Sequence, residues 1–256
     1  MKIATYNVNG VNGRLPRLLE WLAETAPDVV CLQEIKTGDA TFPARAIADA
    51  GYGAVWHGQR SHHGVAILAR DAPPREIRRG LPGDPHDRES RYLEAETLGI
   101  VAASVYLPNG NPQPGPRFDY KLAWFDRLIA HAQTLAHAAT PVVLAGDFNV
   151  VPTDADIYNA WLWAHDAVMQ PASRAAYARL LEQGWVDATR ALHPRDRIYT
   201  YWVNTQAFRR NHGFRMDFLL INPALARHLQ ATGVDADHRG RDRPSDHAPV
   251  WITVSK

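Results

Sequence analysis

Residues 141–149, with the sequence PVVLAGDFN, decide the fold class of this chain. A short, β-branched apolar run follows Pro141 and ends at Gly146, which is typical of a buried strand in a layered α/β protein. Asp147 and Asn149 therefore lie where the strand ends, at the sheet edge where such proteins bind ligands. Their side chains project to the same side and could hold a water molecule or a hard metal ion. The alternative is that both residues only cap the following turn.

The N-terminal segment predicts a strand–helix–strand unit. Residues 2–9 alternate weakly as a strand, and the leucines from Leu15 to Leu22 share one face of a helix that Pro27 ends. The apolar run DVVCLQ at 28–33 is a second buried strand, and Glu34 follows it. A right-handed crossover places the ends of both strands on one sheet edge, so Asn7 and Glu34 could meet there. Cys31 lies within the apolar run and is expected in the core.

The remaining elements continue the same α/β pattern. Residues 92–97 and 100–106 predict a hairpin that turns at Leu98-Gly99, and Tyr106 ends its second strand. Helices are expected over 118–135, 153–160 and 173–183, with Ser173 as the N-cap of the last. Residues 215–221 predict a buried strand whose single acid, Asp217, needs a specific partner because a buried unpaired charge is costly. Asp246 and His247 precede the last strand, at 248–254.

Two aromatic stretches and one arginine-rich stretch are open to more than one interpretation. Trp161 to Trp163 could be core residues or a platform for a base, and core is favoured. Residues 199–203, YTYWV, are aromatic and β-prone, and Trp202 belongs either to the core or to the substrate site. Six arginines and one acid occur between Arg190 and Arg215. Arginine forks suit phosphate and aromatics suit bases, although a general preference for arginine over lysine would give the same count.

Composition limits the class of protein. The 256 residues carry a net charge of only +1, with 46% hydrophobic residues, and no linker or low-complexity segment divides them, so we expect one domain over 1–256. The single cysteine excludes disulfides within the chain and disfavours cysteine-based metal sites. No membrane-spanning stretch, signal region or heptad pattern is evident. A cytoplasmic monomer is the simplest expectation.

Seven segments together resemble the exonuclease III family of the endonuclease/exonuclease/phosphatase superfamily. They span nearly the whole chain in the order of the family. The segments are TYNVNG at 5–10, LQEIK at 32–36, HHGVAIL at 62–68, YLPNG at 106–110, GDFNVVPTDADI at 146–157, NHGFRMDFLL at 211–220 and SDHAPV at 245–250.

The resemblance implies a fold, a reaction and a set of site residues. The fold is a four-layer αββα sandwich of two mixed β-sheets flanked by helices, and the reaction is Mg²⁺- or Mn²⁺-dependent hydrolysis of phosphodiesters in double-stranded DNA, at abasic sites or 3′ ends. The implied metal-site residues are Glu34, Asn7, Asp147, Asn149, Asp246 and His247. The implied catalytic residues are Tyr106, Asp147, Asn149, Asp217 and His247, with Asp217 as the hydrogen-bonding partner of His247. The candidate DNA-binding residues are Asn9, Trp202, Arg209 and Arg210, of which the last three come from the aromatic and arginine-rich stretches.

Some positions depart from the family pattern. Tyr6 replaces a tryptophan, Asn9 replaces the aspartate of some members, and Trp202 stands where many relatives have an aromatic pair. The segments 108–116 and 161–175 match no family motif. The balance of abasic-site cleavage and 3′→5′ exonuclease activity, and the number of metal ions, therefore stay open.

Two other functions compete with the DNA nuclease. A phosphoesterase acting on a small phosphorylated molecule would use the same core, but it needs no extended basic and aromatic surface. A non-catalytic DNA-binding module is disfavoured because every motif acid, amide and histidine is present.

Overall fold

The computed structural model describes residues 1–255. The strands are β1 (Lys2–Asn7), β2 (Val29–Gln33), β3 (Tyr52–His57), β4 (Val65–Arg70), β5 (Arg75–Arg79), β6 (Tyr92–Thr97), β7 (Ile100–Tyr106), β8 (Val142–Asp147), β9 (Val186–Asp187), β10 (Asp217–Ile221), β11 (Leu229–Val234) and β12 (Val250–Val254). The α-helices are α1 (Val11–Thr25), α2 (Ala44–Asp49), α3 (Pro116–Ala136), α4 (Pro171–Glu182), α5 (Ala188–Leu192), α6 (Thr205–Arg209) and α7 (Pro223–Ala226). Short 3₁₀ helices cover Asp39–Thr41, Asp154–Asp156, Trp161–Trp163, Ala167–Met169 and Ala236–Gly240.

The strands form two mixed sheets of six strands each. The first has the order β11-β12-β1-β2-β4-β3 and the second the order β5-β6-β7-β8-β10-β9. One parallel pair lies inside each sheet, β1 with β2 and β7 with β8. Because parallel strands need a long crossover, α1 connects the first pair and α3 the second. The predicted strand–helix–strand unit is therefore confirmed.

The two sheets pack face to face around a shared apolar layer. Period-two alternation points Ile3 into this layer and Ala4 to the outer face beneath α1. In the second sheet, Val143 lies in the shared layer, whereas Leu144 packs beneath α3 and α4. Each fully buried aliphatic side chain contributes about 1.5–3 kcal/mol to folding. The predicted four-layer αββα sandwich is confirmed.

Close packing between β7 and β8 requires the glycine of the opening stretch. A Cβ atom on Gly146 would lie 1.8 Å from the carbonyl oxygen of Val105. No side chain fits at that distance, so glycine allows the two strand ends to approach. Asp147 follows directly and is held in register opposite Tyr106.

Several predicted elements differ from the structure. Residues 199–203 form no strand: Tyr201 makes only single bridges to Phe214 and His247, because the chain crosses between the sheets here. The helix expected at 153–160 is limited to the 3₁₀ turn Asp154–Asp156. Ser173 is not an N-cap, since α4 begins at Pro171 and the Ser173 hydroxyl donates to the Ala167 carbonyl at 2.8 Å.

The predicted hairpin and the predicted core cysteine are both confirmed. Leu98 and Gly99 form the turn between β6 and β7 with φ values of 49° and 80°, and Cys31 is fully buried. Within residues 1–255, no helix combines the length and apolar character needed to cross a membrane.

Candidate active site

The polar strand ends meet at one edge of the layer between the sheets. Asn7 continues the inward-facing positions of β1, and Asp147 and Asp217 continue those of β8 and β10. Asp147 is the register partner of both Tyr106 and Asp217. The alternation that buries apolar residues inside the sandwich therefore presents carboxylate, amide and phenol groups at its edge.

A direct hydrogen-bond bridge joins the two sheets at this edge. The Asn7 amide donates to Glu34 Oε1 at 3.1 Å and to Asp147 Oδ2 at 3.0 Å. The Tyr106 hydroxyl donates to the same Glu34 oxygen at 2.8 Å. The expected meeting of Asn7 with Glu34 is confirmed. Asn7 uses its amide nitrogen for this bridge, while its Oδ1 accepts from the Asn9 backbone at 3.1 Å.

Asp147 and Asn149 form the turn cap that one interpretation of the sequence expected, and their side chains stay together at the strand end. The Asn149 backbone N–H donates to Asp147 Oδ1 at 2.9 Å, which is a turn cap. Asn149 has a φ of 45°, and its side chain stays beside the Asp147 carboxylate at 3.3 Å. The turn therefore positions the Asp147 carboxylate and the Asn149 amide in the site.

His247 and Asp217 form the pair expected for the solitary acid of β10. His247 Nδ1 lies 2.9 Å from Asp217 Oδ2, and both side chains are buried. Thr200, which the sequence analysis did not single out, donates its hydroxyl to Asp217 Oδ2 at 2.6 Å. Burial alone would lower the pKa of His247, but the Asp217 carboxylate outweighs burial and raises it to about 10. The imidazole is therefore held as a cation.

Negative charge exceeds positive charge in this region. We call Glu34, Asp147, Asp217 and Asp246 the acidic cluster. The cations in contact with it are His247 and Lys36, whose ammonium lies 2.6 Å from Glu34 Oε2. Burial and the Asp217 carboxylate outweigh the attraction of His247 and raise the pKa of Asp147 to about 7. Ligand atoms of Asp147, Asp217 and His247 all lie within 4.8 Å of one another, an arrangement that could hold a metal ion.

The rim of the site contains Asn9. Its amide donates to Asp246 Oδ1 at 2.9 Å, and its Oδ1 accepts from Lys36 at 2.6 Å.

Burial raises the pKa of Glu34, but Lys36 and Asn7 outweigh burial and lower it. Glu34 therefore remains a carboxylate beside the pocket.

A cavity of about 140 Å³ opens between the acidic cluster and an apolar wall. Trp163, Tyr201, Phe214 and Met216 form this wall, and the Tyr201 ring lies 4.8 Å from the His247 ring. Sequence reasoning missed the role of Tyr201, Phe214 and Met216, and it gave Trp163 only as a core residue or a platform for a base. The sequence signal that could have identified Phe214 and Met216 is their position within the motif NHGFRMD, just before Asp217.

Buried Lys121 supports two of the loops that line the site. Its ammonium donates to the carbonyls of Pro108 at 3.2 Å and Asn109 at 3.1 Å, and to that of Asn149. Burial lowers the pKa of Lys121 to about 7. Asn109, in turn, donates to Asn149 Oδ1 at 3.1 Å. Lys121 was read from sequence only as part of a helix, because its contacts come from the tertiary fold.

The predicted arginine surface divides into two parts. Arg215 is 1% exposed and pairs with Asp156 at 2.6 Å and Asp187 at 2.7 Å, and Arg190 also pairs with Asp156. Of the two interpretations of this stretch, phosphate binding is therefore wrong for Arg190 and Arg215. Arg209 and Arg210, at the end of α6, are exposed.

Trp202 and the segment 161–163 also differ from expectation. Of the two interpretations of Trp202, the structure supports core packing: the ring is 2% exposed, lies edge-on to Phe208, and donates to Asn211 at 3.3 Å. The expected core position of Trp161 is wrong, because that side chain is 82% exposed. Leu162 is 57% exposed.

Comparisons with known proteins identify similar sequences and folds. The model of the endonuclease/exonuclease/phosphatase family matches residues 4–247. The exodeoxyribonuclease III of Haemophilus influenzae is 33% identical, over 98% of both chains. An AP endonuclease from Archaeoglobus fulgidus superposes with a TM-score of 0.95 and 33% identity, covering both chains completely. The 3′ phosphatase NExo from Neisseria, bound to a product DNA hairpin, gives a TM-score of 0.95 and 36% identity, again covering both chains completely.

The chain therefore belongs to the endonuclease/exonuclease/phosphatase family. The names of its relatives confirm the class predicted from the sequence, a hydrolase of the DNA repair nucleases.

Proposed function

We propose that this protein hydrolyses phosphodiester bonds of double-stranded DNA in a divalent-metal-dependent reaction, as a 3′→5′ exonuclease and an abasic-site endonuclease. The observation that carries the proposal is the strand-end site itself. Asp147, Asp217 and His247 converge to within 4.8 Å, beside Glu34 and Tyr106, at the mouth of a cavity. Those groups are the ones that hydrolysis of a phosphodiester needs.

The donor set fits a hard divalent cation. The acidic cluster carries four carboxyl groups, and its partly uncompensated charge favours an added cation. Carboxylate and amide oxygens are the ligands that Mg²⁺ prefers, with Mn²⁺ as a substitute. The residues that would hold it are Glu34, Asn7, Asp147, Asn149 and Asp246. His247 leaves the implied ligand set, because its ring is protonated and paired with Asp217 and so has no free lone pair for a metal. A bound Mg²⁺ supplies stabilisation of the negative charge that develops on the phosphate.

Side chains of the protein provide the other catalytic contributions. Asp147 orients the attacking water and accepts its proton, with Asn149 fixing the carboxylate. His247, held as a cation by Asp217, donates a hydrogen bond to a phosphate oxygen. Tyr106 donates its phenolic hydrogen to the phosphate or to the leaving oxygen. One general base gives only about 10²–10⁴-fold acceleration, so these contributions must act together.

Substrate binding needs a surface beyond the catalytic groups. Exposed Arg209 and Arg210, together with Asn9 at the rim, are the proposed DNA-binding residues. A small-molecule phosphoesterase would leave this surface unused. DNA affinity should fall steeply from low to moderate salt as phosphate counterions are released. A shallow salt response would favour the small-molecule substrate.

One duplex tests the proposed activities. It carries a single internal abasic site and one recessed, labelled 3′ end, and is incubated with Mg²⁺, with chelator, and with the Asp147→Asn variant. We expect Mg²⁺-dependent cutting at the abasic site and a ladder that shortens from the 3′ end. The absence of any Mg²⁺-dependent product would overturn the proposal and favour the small-molecule phosphoesterase.

The cytoplasmic location, the single domain and the monomeric state stay predictions.

A further inference from the structure

An aromatic ridge borders the candidate active site. We define the ridge by five side chains, Tyr158, Trp161, Leu162, Trp163 and His212. Trp161 and Leu162 form its outer part, with exposures of 82% and 57%. Trp161 is the most exposed of the large apolar side chains in the part of the chain that the structure describes. Burying such a side chain contributes about 1.5–3 kcal/mol, a gain that this chain does not realise within its own fold.

The inner part of the ridge anchors the turn that carries the exposed pair. Trp163 packs edge-on against Phe214, with ring centroids 4.8 Å apart, and its indole N–H donates to the Tyr158 hydroxyl at 3.2 Å. The Tyr158 and His212 rings stack in parallel, 4.4 Å apart with an interplanar angle of 2°.

The backbone of the turn is anchored as well. The Leu162 N–H donates to the side chain of Asn159 at 3.3 Å, and the Ala164 carbonyl accepts from Gln170 at 3.0 Å. The backbone that carries Trp161 is therefore anchored before a ligand binds, so little backbone entropy is lost on binding.

The ridge lies between the catalytic cavity and the exposed arginines. Trp163 lines the same cavity as Glu34 and His247, and Trp161 belongs to the same single 3₁₀ turn. A 3₁₀ helix rises only about 2 Å per residue, so the backbone of Trp161 lies about 4 Å along the turn from that of Trp163. At the other end, His212 follows the helix end that carries Arg209 and Arg210. An occupant of this surface needs a flat apolar face next to phosphate groups, which is the chemistry of a nucleic acid base.

We propose that Trp161 stacks on a base of the DNA substrate next to the scissile phosphate, with Leu162 packing against the same nucleotide. This proposal rests on the proposed function. Inside an intact duplex both faces of each base are covered by neighbours, so no face is free for Trp161. A terminal base pair or a base next to an abasic site has lost one neighbour. Trp161 therefore selects DNA ends and abasic gaps over continuous duplex.

The expected effect follows from the strength of base–aromatic stacking. Such stacking contributes about 1–3 kcal/mol per base. We expect Trp161→Ala to raise Kd and KM for a recessed 3′ end about tenfold, with kcat at saturation nearly unchanged. Trp161→Phe should recover part of this loss because it keeps an aromatic face. Binding to a closed duplex without ends or gaps should change less than about twofold.

A fluorescence experiment isolates the contact from catalysis. The probe is a hairpin duplex whose recessed 3′ nucleotide is 2-aminopurine, titrated with protein in the presence of chelator so that no cleavage occurs. Stacking on Trp161 should quench the probe with wild-type protein and with Leu98→Ala, and quenching should be lost with Trp161→Ala. Leu98 is the matched control, because it is 46% exposed at the hairpin turn between β6 and β7, away from the strand ends of the site.

Three results would overturn the proposal. The first is equal quenching and equal Kd for wild type and Trp161→Ala. The second is an equal loss for recessed and closed DNA. The third is a change of oligomeric state in Trp161→Ala with unchanged DNA binding, which would make a second copy of the chain the occupant. Failure of the proposed function is distinguishable, since it appears as wild-type protein that produces no Mg²⁺-dependent product from any DNA.

Discussion

Two buried groups of charged side chains lie close together along the chain but are built differently. Arg215 and Asp217 are two residues apart, and each belongs to a different group. We call Asp156, Asp187, Arg190 and Arg215 the ion-pair cluster, in which two carboxylates are matched by two guanidinium groups. The acidic cluster has four carboxyl groups, and its contacting cations are His247 and Lys36.

The difference separates a structural role from a catalytic one. Every charge of the ion-pair cluster has a partner inside the protein, so removing one leaves a buried charge unpaired. The acidic cluster keeps carboxylates close together without enough cations, which raises the energy of the folded state. Such an arrangement is retained where a ligand supplies the missing charge. We therefore expect opposite responses when the two clusters are mutated in the same way.

The largest expected effect is on turnover in the acidic cluster. Asp147→Asn should reduce the cleavage rate at least about a hundredfold, because the group that accepts the proton of water is lost. The same change relieves repulsion between carboxylates, so the midpoint of thermal unfolding should not fall. Single-turnover kinetics and calorimetry on one preparation measure both. A clear loss of stability would show that Asp147 has a structural role, as the ion-pair cluster does, and would contradict the proposed difference between the two clusters.

The matching substitution in the ion-pair cluster should act on stability. Asp156→Asn leaves the buried Arg215 with Asp187 as its carboxylate partner and should lower the free energy of unfolding by about 3 kcal/mol. Turnover per folded molecule should be retained. Urea denaturation measures the change, and Asp154→Asn is the control. Asp154 lies two residues away, is exposed, and pairs with Arg174 at the surface, so its loss should change stability by at most about 1 kcal/mol.

Acid should remove the contribution of the ion-pair cluster. Burial alone would raise the pKa of Asp156, but Arg215 and Arg190 outweigh burial and lower it. A carboxylate with a lowered folded-state pKa stabilises the protein above the unfolded-state pKa, about 3.9, and this stabilisation is lost as pH falls through the folded-state pKa. The stability difference between wild type and Asp156→Asn should therefore be constant from pH 7 to pH 5 and shrink below pH 4. A stability difference between wild type and Asp156→Asn that grows as pH falls would contradict a lowered pKa for Asp156.

A smaller effect is expected from the hydroxyl that supports Asp217. Thr200→Val keeps the shape of the side chain but removes the hydrogen bond to the carboxylate that holds His247. A hydrogen bond to a charged group contributes about 1.5–3 kcal/mol, so we expect kcat to fall about tenfold with KM little changed. Thr189→Val is the control, because Thr189 is also buried but contacts Thr232 outside the site. Equal kinetics for both variants would show that the Thr200 hydroxyl does not support catalysis through Asp217.

Local pattern was sufficient to place the acids of the cluster at or near strand ends. Asn7 and Glu34 end consecutive strands, and the crossover rule brings those two strands to one edge. That Asp217 has a partner was predictable because an acid inside a buried strand must be compensated, whereas the identity of the partner, His247, came from the resemblance to a family. The pairing of the two sheets, in contrast, came from the resemblance to a family.

Contacts between distant segments could not be predicted in this way. Arg215 lies 59 residues from Asp156, and nothing local distinguishes it from the exposed Arg209 and Arg210. Trp161 and Trp202 have opposite exposures because tertiary packing, not residue type, decides burial. Lys121 is another example, since its acceptors are carbonyls of two loops that no periodicity predicts.

Metal binding tests the central claim, that the acidic cluster is built for a divalent cation. Isothermal titration with Mn²⁺ would compare wild type, Glu34→Gln and Asp156→Asn, each checked for folding by circular dichroism. We predict saturable binding in wild type and in Asp156→Asn, and an affinity at least about tenfold lower in Glu34→Gln. Equal affinity in wild type and Glu34→Gln, or loss of binding in Asp156→Asn alone, would contradict the account.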